Sequence, residues 1–124
     1  MTIGQFKPNT LAIIKKMPTG ALFKHVRGST AGFSVESDNE IWFVCHIVSH
    51  ENVRQYMHLI VVLDGVNLSI KRLSHPFKFE GQPIEYCLGL IVNDNDIVMT
   101  YSINDSSSNI LIVQKSDLKF VEDY

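Results

Sequence analysis

Short apolar runs separated by polar, turn-forming clusters repeat along most of the chain. The runs cover residues 11–14, 41–48, 56–63, 68–73, 84–92, 97–103 and 109–113. Between them lie clusters of Asn, Asp, Ser, Gly and Glu at 36–40, 49–52, 64–65, 93–96 and 104–108. Val, Ile and aromatic residues dominate the runs, which begin about every ten residues, the signature of an all-β chain. No window sustains helical spacing between two caps, and a short helix near 117–124 is the one weak candidate. Residues 68–73 are interrupted by polar positions, as in a strand with one wet face. Residues 41–48 and 59–63 are apolar almost throughout, which predicts cover on both faces and therefore stacked sheets. Pro76 and Pro83 flank a stretch that reads as a loop dropping Phe77 and Phe79 onto the core.

Composition fits one domain over residues 1–124: 45% of residues are apolar and 19% charged, enough to bury a core and unlike a disordered chain. The net charge of -2, from 11 basic and 13 acidic residues, creates no global field toward nucleic acid or membrane. The pairs Lys15–Lys16 and Lys71–Arg72 read as solvated surface. No apolar stretch reaches the roughly 18 residues of a membrane-spanning helix, and the N-terminus lacks a signal-peptide layout. Cys45 and Cys87 lie inside apolar runs and read as buried free thiols in a cytoplasmic protein. Zinc spacing, a Walker loop, a dinucleotide fingerprint and a Ser-His-Asp order are all missing, so neither a metal nor a cofactor is expected.

Six segments stand in a distinctive order: Arg27–Thr30 (RGST), Trp42–His46 (WFVCH), Arg54–His58 (RQYMH), Leu73–Phe79 (LSHPFKF), Ile84–Gly89 (IEYCLG) and Asp96–Asp105 (DIVMTYSIND). The series resembles the five-bladed β-propellers of the mannoside phosphorylases, glycoside hydrolase family 130. It is closer still to related propeller segments of bacterial and viral glycosyltransferase-associated proteins. The resemblance covers residues 27–114, leaving 1–26 as an N-terminal edge strand or extension. It implies antiparallel meander sheets amounting to about two blades, with a compact β-sandwich as the alternative architecture. It also places His46 near a phosphate site and Asp105 where the family's pocket acid stands, with Ser102 in place of a common glycine. The phosphorylases' general acid and most of their phosphate-binding arginines come from the first half of the propeller, to which nothing here corresponds. Propellers have at least about four blades, so another chain or a larger protein would have to complete the ring.

The polar residues inside apolar strands are the informative ones. His46 is either a sugar or phosphate contact or a core histidine with satisfied nitrogens. Arg54, Tyr56 and His58 alternate and so share one face, either a ligand surface of guanidinium, phenol and imidazole or the wet side of an edge strand. Arg27 precedes a Gly-Ser-Thr turn whose amides could cradle an anion. Glu85 is a catalytic carboxylate or sugar acceptor, or else the partner of Arg54 or Arg27. Asp105 is a pocket acid or an ordinary turn acid. Trp42 and Tyr101 could stack on a sugar, although aromatics in such strands more often fill the core.

The resulting expectation is a carbohydrate-active module that binds or acts on mannoside-type sugars or sugar phosphates, by phosphorolysis or hydrolysis within a larger assembly. Glu85 and Asp105 would be catalytic, and Arg27, His46, Arg54, Tyr56, His58 and Tyr101 would bind substrate. The competing expectation is a non-catalytic carbohydrate-binding or assembly module completed by oligomerisation.

Overall fold

The computed structural model describes residues 2–6, 13–49 and 55–121. Strands β1 (Thr2–Phe6) and β2 (Ile13–Pro18) pair antiparallel in a small sheet of their own, not as an edge of a larger one. The second sheet contains β3 (Val26–Gly28), β4 (Phe33–Val35), β5 (Glu40–Ser49), β6 (Gln55–Asp64) and β7 (Ile70–Leu73). Its order is β3-β5-β6-β7, with β4 also pairing to β5. The third is the meander β8 (Glu85–Val92), β9 (Asp96–Ile103) and β10 (Ser107–Gln114), with β9 in the middle. All strand pairs are antiparallel. The fold is thus all-β. Where a helix was conceivable near the C-terminus there is a single 3-10 turn at Lys115–Asp117, and residues 122–124 lie outside the described residues. Among the described residues no helix is long and apolar enough to cross a membrane.

The turn clusters act as their residue types require. Asn104 and Asp105 both take positive φ, 51° and 55°, and the Ser106 amide donates to the Ile103 carbonyl at 3.0 Å. That is a tight turn with two left-handed central residues, set in a three-residue connection between the paired Ile103 and Ser107. Asp64 Oδ1 accepts from the amides of Val66 and Asn67 and closes the turn after β6.

Strands β5 and β6 run opposite each other without a break from Glu40↔Asp64 to Ser49↔Gln55. One face of the pair, with Trp42, Val44, Ile60 and Val62, packs against Cys87, Val92, Ile97 and Met99 of the third sheet. The other face, with Cys45, Leu59, Val61 and Leu63, packs with Phe23, Val26 and Leu73. Both faces are therefore covered. The two thiols sit on these opposite layers, and burial raises them to about 11 for Cys45 and about 12 for Cys87, so neither is a reactive thiolate at neutral pH. Phe77 and Phe79 do drop onto the first layer. The C-terminal segment returns to β7 through Val121 N–H to the Leu73 carbonyl and a bridge between Ser74 and Phe120.

One end of the inter-sheet layer holds a buried carboxylate, Glu40. Its Oε1 accepts from Arg72 at 2.7 Å and from Trp42 Nε1 at 3.3 Å, and Oε2 meets Lys71 at 2.9 Å. The Arg72 guanidinium also lies over the rings of Trp42 and Phe120. Lys71 and Arg72 thus neutralise a buried charge; they are not merely solvated surface. Burial works to raise the Glu40 pKa, but Lys71, Arg72 and Trp42 outweigh it and leave the carboxyl below its ordinary 4.5. A carboxyl depressed in the folded state contributes stability above its unfolded pKa and loses it as pH falls through the folded one. Glu40→Ala should therefore lower unfolding stability at pH 7 by about 1–2 kcal/mol, since both cations are half-exposed and can rehydrate. Urea melts at pH 7 and pH 3 should show the difference between wild type and variant shrinking in acid.

Candidate functional site

The other end of the inter-sheet layer is polar, and it gathers most of the expected residues. The register sets Arg27 opposite His46 and His46 opposite His58, so the three form a cross-strand row on one face of β3, β5 and β6. Tyr56 shares that face two residues before His58. Arg54 lies outside the described residues.

His46 is held from several sides. Its Nδ1 is hydrogen-bonded to the Ser29 hydroxyl at 2.7 Å. Its ring packs against Tyr56, with centroids 5.5 Å apart, and against Tyr86, at 5.2 Å, both tilted. Burial, and then the neighbouring Arg27 guanidinium, lowers its pKa from 6.5, so at neutral pH it is a neutral ring with one donor and one acceptor nitrogen. A serine hydroxyl beside a histidine could suggest a nucleophile and its base. The nearby amides argue otherwise. Ser29 and Thr30 N–H both donate to the Val44 carbonyl at 3.1 Å, and Thr30 Oγ1 accepts from Val44 N–H. The turn after Arg27 therefore has no amides free at Ser29 and Thr30 to cradle an anion or an oxyanion, and Ser29 serves to orient the imidazole.

Deeper in, His58 and Glu85 are both fully buried. Glu85 does not pair with Arg27. Its Oε1 accepts from Phe79 N–H at 2.9 Å, and its Oε2 from Glu80 at 2.7 Å and Gln82 at 3.2 Å. The carboxylate is the knot that gathers the 79–82 loop, and its oxygens are committed to backbone. That loop is also tied to β6: Phe77 and His58 exchange both backbone hydrogen bonds at 2.8 Å, and Tyr56 N–H donates to the Pro83 carbonyl. His58 Nε2 stands 3.9 Å from Glu85 Oε1, too far for a hydrogen bond, and neither ring nitrogen has a hydrogen-bond partner among the described residues. The rings of Phe77 and Phe79 pack around it. Burial pulls the His58 pKa from 6.5 down to about 4; Glu85 opposes that shift and His46 adds to it.

Tyr101 is spoken for as well. Its ring stacks on Phe79 at 4.3 Å, and its hydroxyl donates to Glu80 Oε2 at 2.8 Å, which raises the phenol pKa. Trp42 belongs to the core. Asp105 is exposed in the β9–β10 turn, while Glu85 is enclosed, so the two acids do not form a working pair around a shared opening. Tyr86 and Glu80 were not singled out from the sequence, and Ser29 entered only through its backbone amide, not its hydroxyl. Tyr86 alternates with the buried Glu85 and Cys87, and Glu80 sits in a loop whose course is set by a distant carboxylate. Among the described residues no group of three or more His, Cys, Asp or Glu is placed to hold a metal. A cleft of about 320 Å³ near Phe77, Met99, Leu111, Val113 and Leu118 contains none of the expected residues.

No family model, curated protein or solved structure matches the chain.

Two outcomes follow from the buried pair. Between pH 6.5 and about 4 the unfolded chain binds a proton at position 58 that the folded chain refuses. Stability is therefore full above 6.5 and falls toward pH 4, by on the order of 3 kcal/mol from this group. In His58→Leu that part of the slope should vanish, with stability at pH 7 unchanged or raised; a variant keeping the wild-type slope would contradict the assignment. Glu85→Gln turns an NH₂ group toward backbone donors and should cost about 2–3 kcal/mol, measured by chemical denaturation.

Proposed function

We propose that the chain is a carbohydrate-binding β module with no turnover of its own, built as two neighbouring propeller-like blades. The observation that carries this reading is the His46 cluster: a neutral, buried imidazole oriented by Ser29 and packed against the buried Tyr56 ring, with the half-buried Tyr86 ring and the exposed Arg27 beside it at the surface. Aromatic faces suit the C–H faces of a sugar, and imidazole, phenol and hydroxyl groups suit its hydroxyls as both donors and acceptors. Arg27, exposed at the rim, suits a phosphate or another anionic substituent. Mannoside-type sugars and their phosphates are the ligand class, in keeping with the order of segments from Arg27 to Asp105.

Two successive antiparallel meanders packed through their faces support the blade reading, and a compact sandwich would use the same packing. Phosphorolysis or hydrolysis falls outside the proposal. Glu85 is committed to three amides, and Asp105 sits on an exposed turn. Two buried free thiols fit a reducing cytoplasm.

The test is titration of the folded protein with mannose oligosaccharides, with and without phosphate, followed by calorimetry and amide shifts. Binding should weaken at least tenfold, about 1.4 kcal/mol, in Arg27→Ala and Tyr86→Ala, and stay unchanged in Asp105→Asn. No heat and no shifts at about 10 mM sugar would end the proposal.

A further inference from the structure

The third sheet has one face in the core and one in water, and the middle of the outer face is apolar, with Asp96 and Gln114 at one end and Ser102 and Ser108 at the other. On the outer face Ile91, Val98 and Ile112 form one cross-strand row, and Thr100 pairs with Ile110 in the next. Leu88 stands at the register shift between Cys87 and Gly89, which turns it outward. Leu88 is 55% exposed, Ile91 49%, Ile110 69% and Ile112 62%. At about 200 Å² for a fully exposed Leu or Ile, these four offer roughly 450 Å² of apolar surface, within the range where the largest patch on a monomer is often functional. None of the six positions carries a charge.

We propose that this face is a self-association surface, covered by the same face of a second copy of the chain about a two-fold axis. Three observations select that occupant. An uncharged patch gives an oppositely charged partner nothing to pair with, whereas a two-fold axis sets a surface against itself and tolerates no like charges there. Two such patches would bury about 900 Å² in total, just under the roughly 1,000 Å² of a stable specific interface, so the dimer is a weak one that forms at high protein concentration. The outer side of the β5–β6 sheet is already covered by Phe23 and Val26, so that face is not open for a further copy and association closes at two instead of growing. Edge pairing through β10 would leave the isoleucines in water; stacking removes them from it.

The proposal does not depend on sugar binding. Sedimentation velocity on the whole chain at about 100 µM should give twice 14.1 kDa. Ile112→Lys and Ile91→Lys should each return the monomer with an unchanged far-UV circular dichroism spectrum, because Ile112 lies mostly and Ile91 about half in water. Val66→Lys, in the exposed β6–β7 turn, should leave the dimer intact. A monomeric wild-type chain at that concentration overturns the proposal. So does a dimer lost in Ile112→Lys but kept in Ile91→Lys, since β8 lies two strands from the β10 edge and that result means edge pairing.

Discussion

The β5–β6 pair is apolar on both sides, and most of what surrounds it is there to keep water from one side or the other. Ten paired positions with alternating faces cannot satisfy this with a single sheet. Trp42, Val44, Ile60 and Val62 need one cover, and Cys45, Leu59, Val61 and Leu63 need another. The third sheet supplies the first and Phe23 with Val26 the second. The 74–84 segment lies along the β6 edge left open beyond the short β7. Ser74 there exchanges hydrogen bonds with Ile60, its amide donating to the Ile60 carbonyl and its Oγ accepting from Ile60 N–H. At about 25 cal/mol per Å² of apolar surface removed from water, double-sided burial of this one pair is the largest local source of stability.

That layer ends at each side in a carboxylate, and the two ends solve the same problem differently. Glu40 is near solvent and takes side-chain cations whose heads remain wet. Glu85 is beyond their reach and takes three backbone amides, which need no counter-charge of their own. The consequence for function is direct. A carboxylate whose oxygens organise a loop is not free to move a proton for a substrate, so the chemistry left at this end belongs to the residues nearer the surface: Arg27, Ser29, His46 and Tyr86. His58 is the misfit. An imidazole with two unpartnered nitrogens, walled in by phenylalanines, costs stability that a leucine would not, and its 3.9 Å separation from Glu85 is closer to a poised contact than a made one.

Strand positions were legible because alternation and turn chemistry are local. The polar cluster at 104–108 marked the turn between β9 and β10, and the unbroken apolar runs of β5 and β6 announced two-sided cover. What stayed hidden depends on distant backbone. Nothing near Glu85 in the sequence says that the amides of 79, 80 and 82 will converge on it, and Arg27 was the more obvious partner on charge. Lys71 and Arg72 looked like surface because Glu40, some thirty residues away, had no apparent need of them. The amides after Arg27 looked free because their acceptor, Val44, belongs to another strand. Gly89 could have signalled the irregular register, since an isolated glycine in an apolar strand often marks a bulge or a close approach; a Cβ there would meet Thr100 Oγ1 at 2.7 Å.

The same sequence signal leads to unlike outcomes in the two main sheets, and the difference is informative. In β5 and β6 the apolar residues are buried or half-buried on both faces, with Met57 the exposed exception among the described residues. In β10, Ile110, Leu111, Ile112 and Val113 are as apolar, yet only Leu111 and Val113 reach the core while the isoleucines stand in water. A strand selected only to close this core would read apolar-polar-apolar there, as a one-sided antiparallel sheet does. At the far edge β8 agrees and puts Ile91 there, whereas the central β9 turns Asp96, Val98, Thr100 and Ser102 outward, the ordinary one-sided alternation. The outer face thus carries more apolar surface, from β8 and β10, than closing the core on the other side requires.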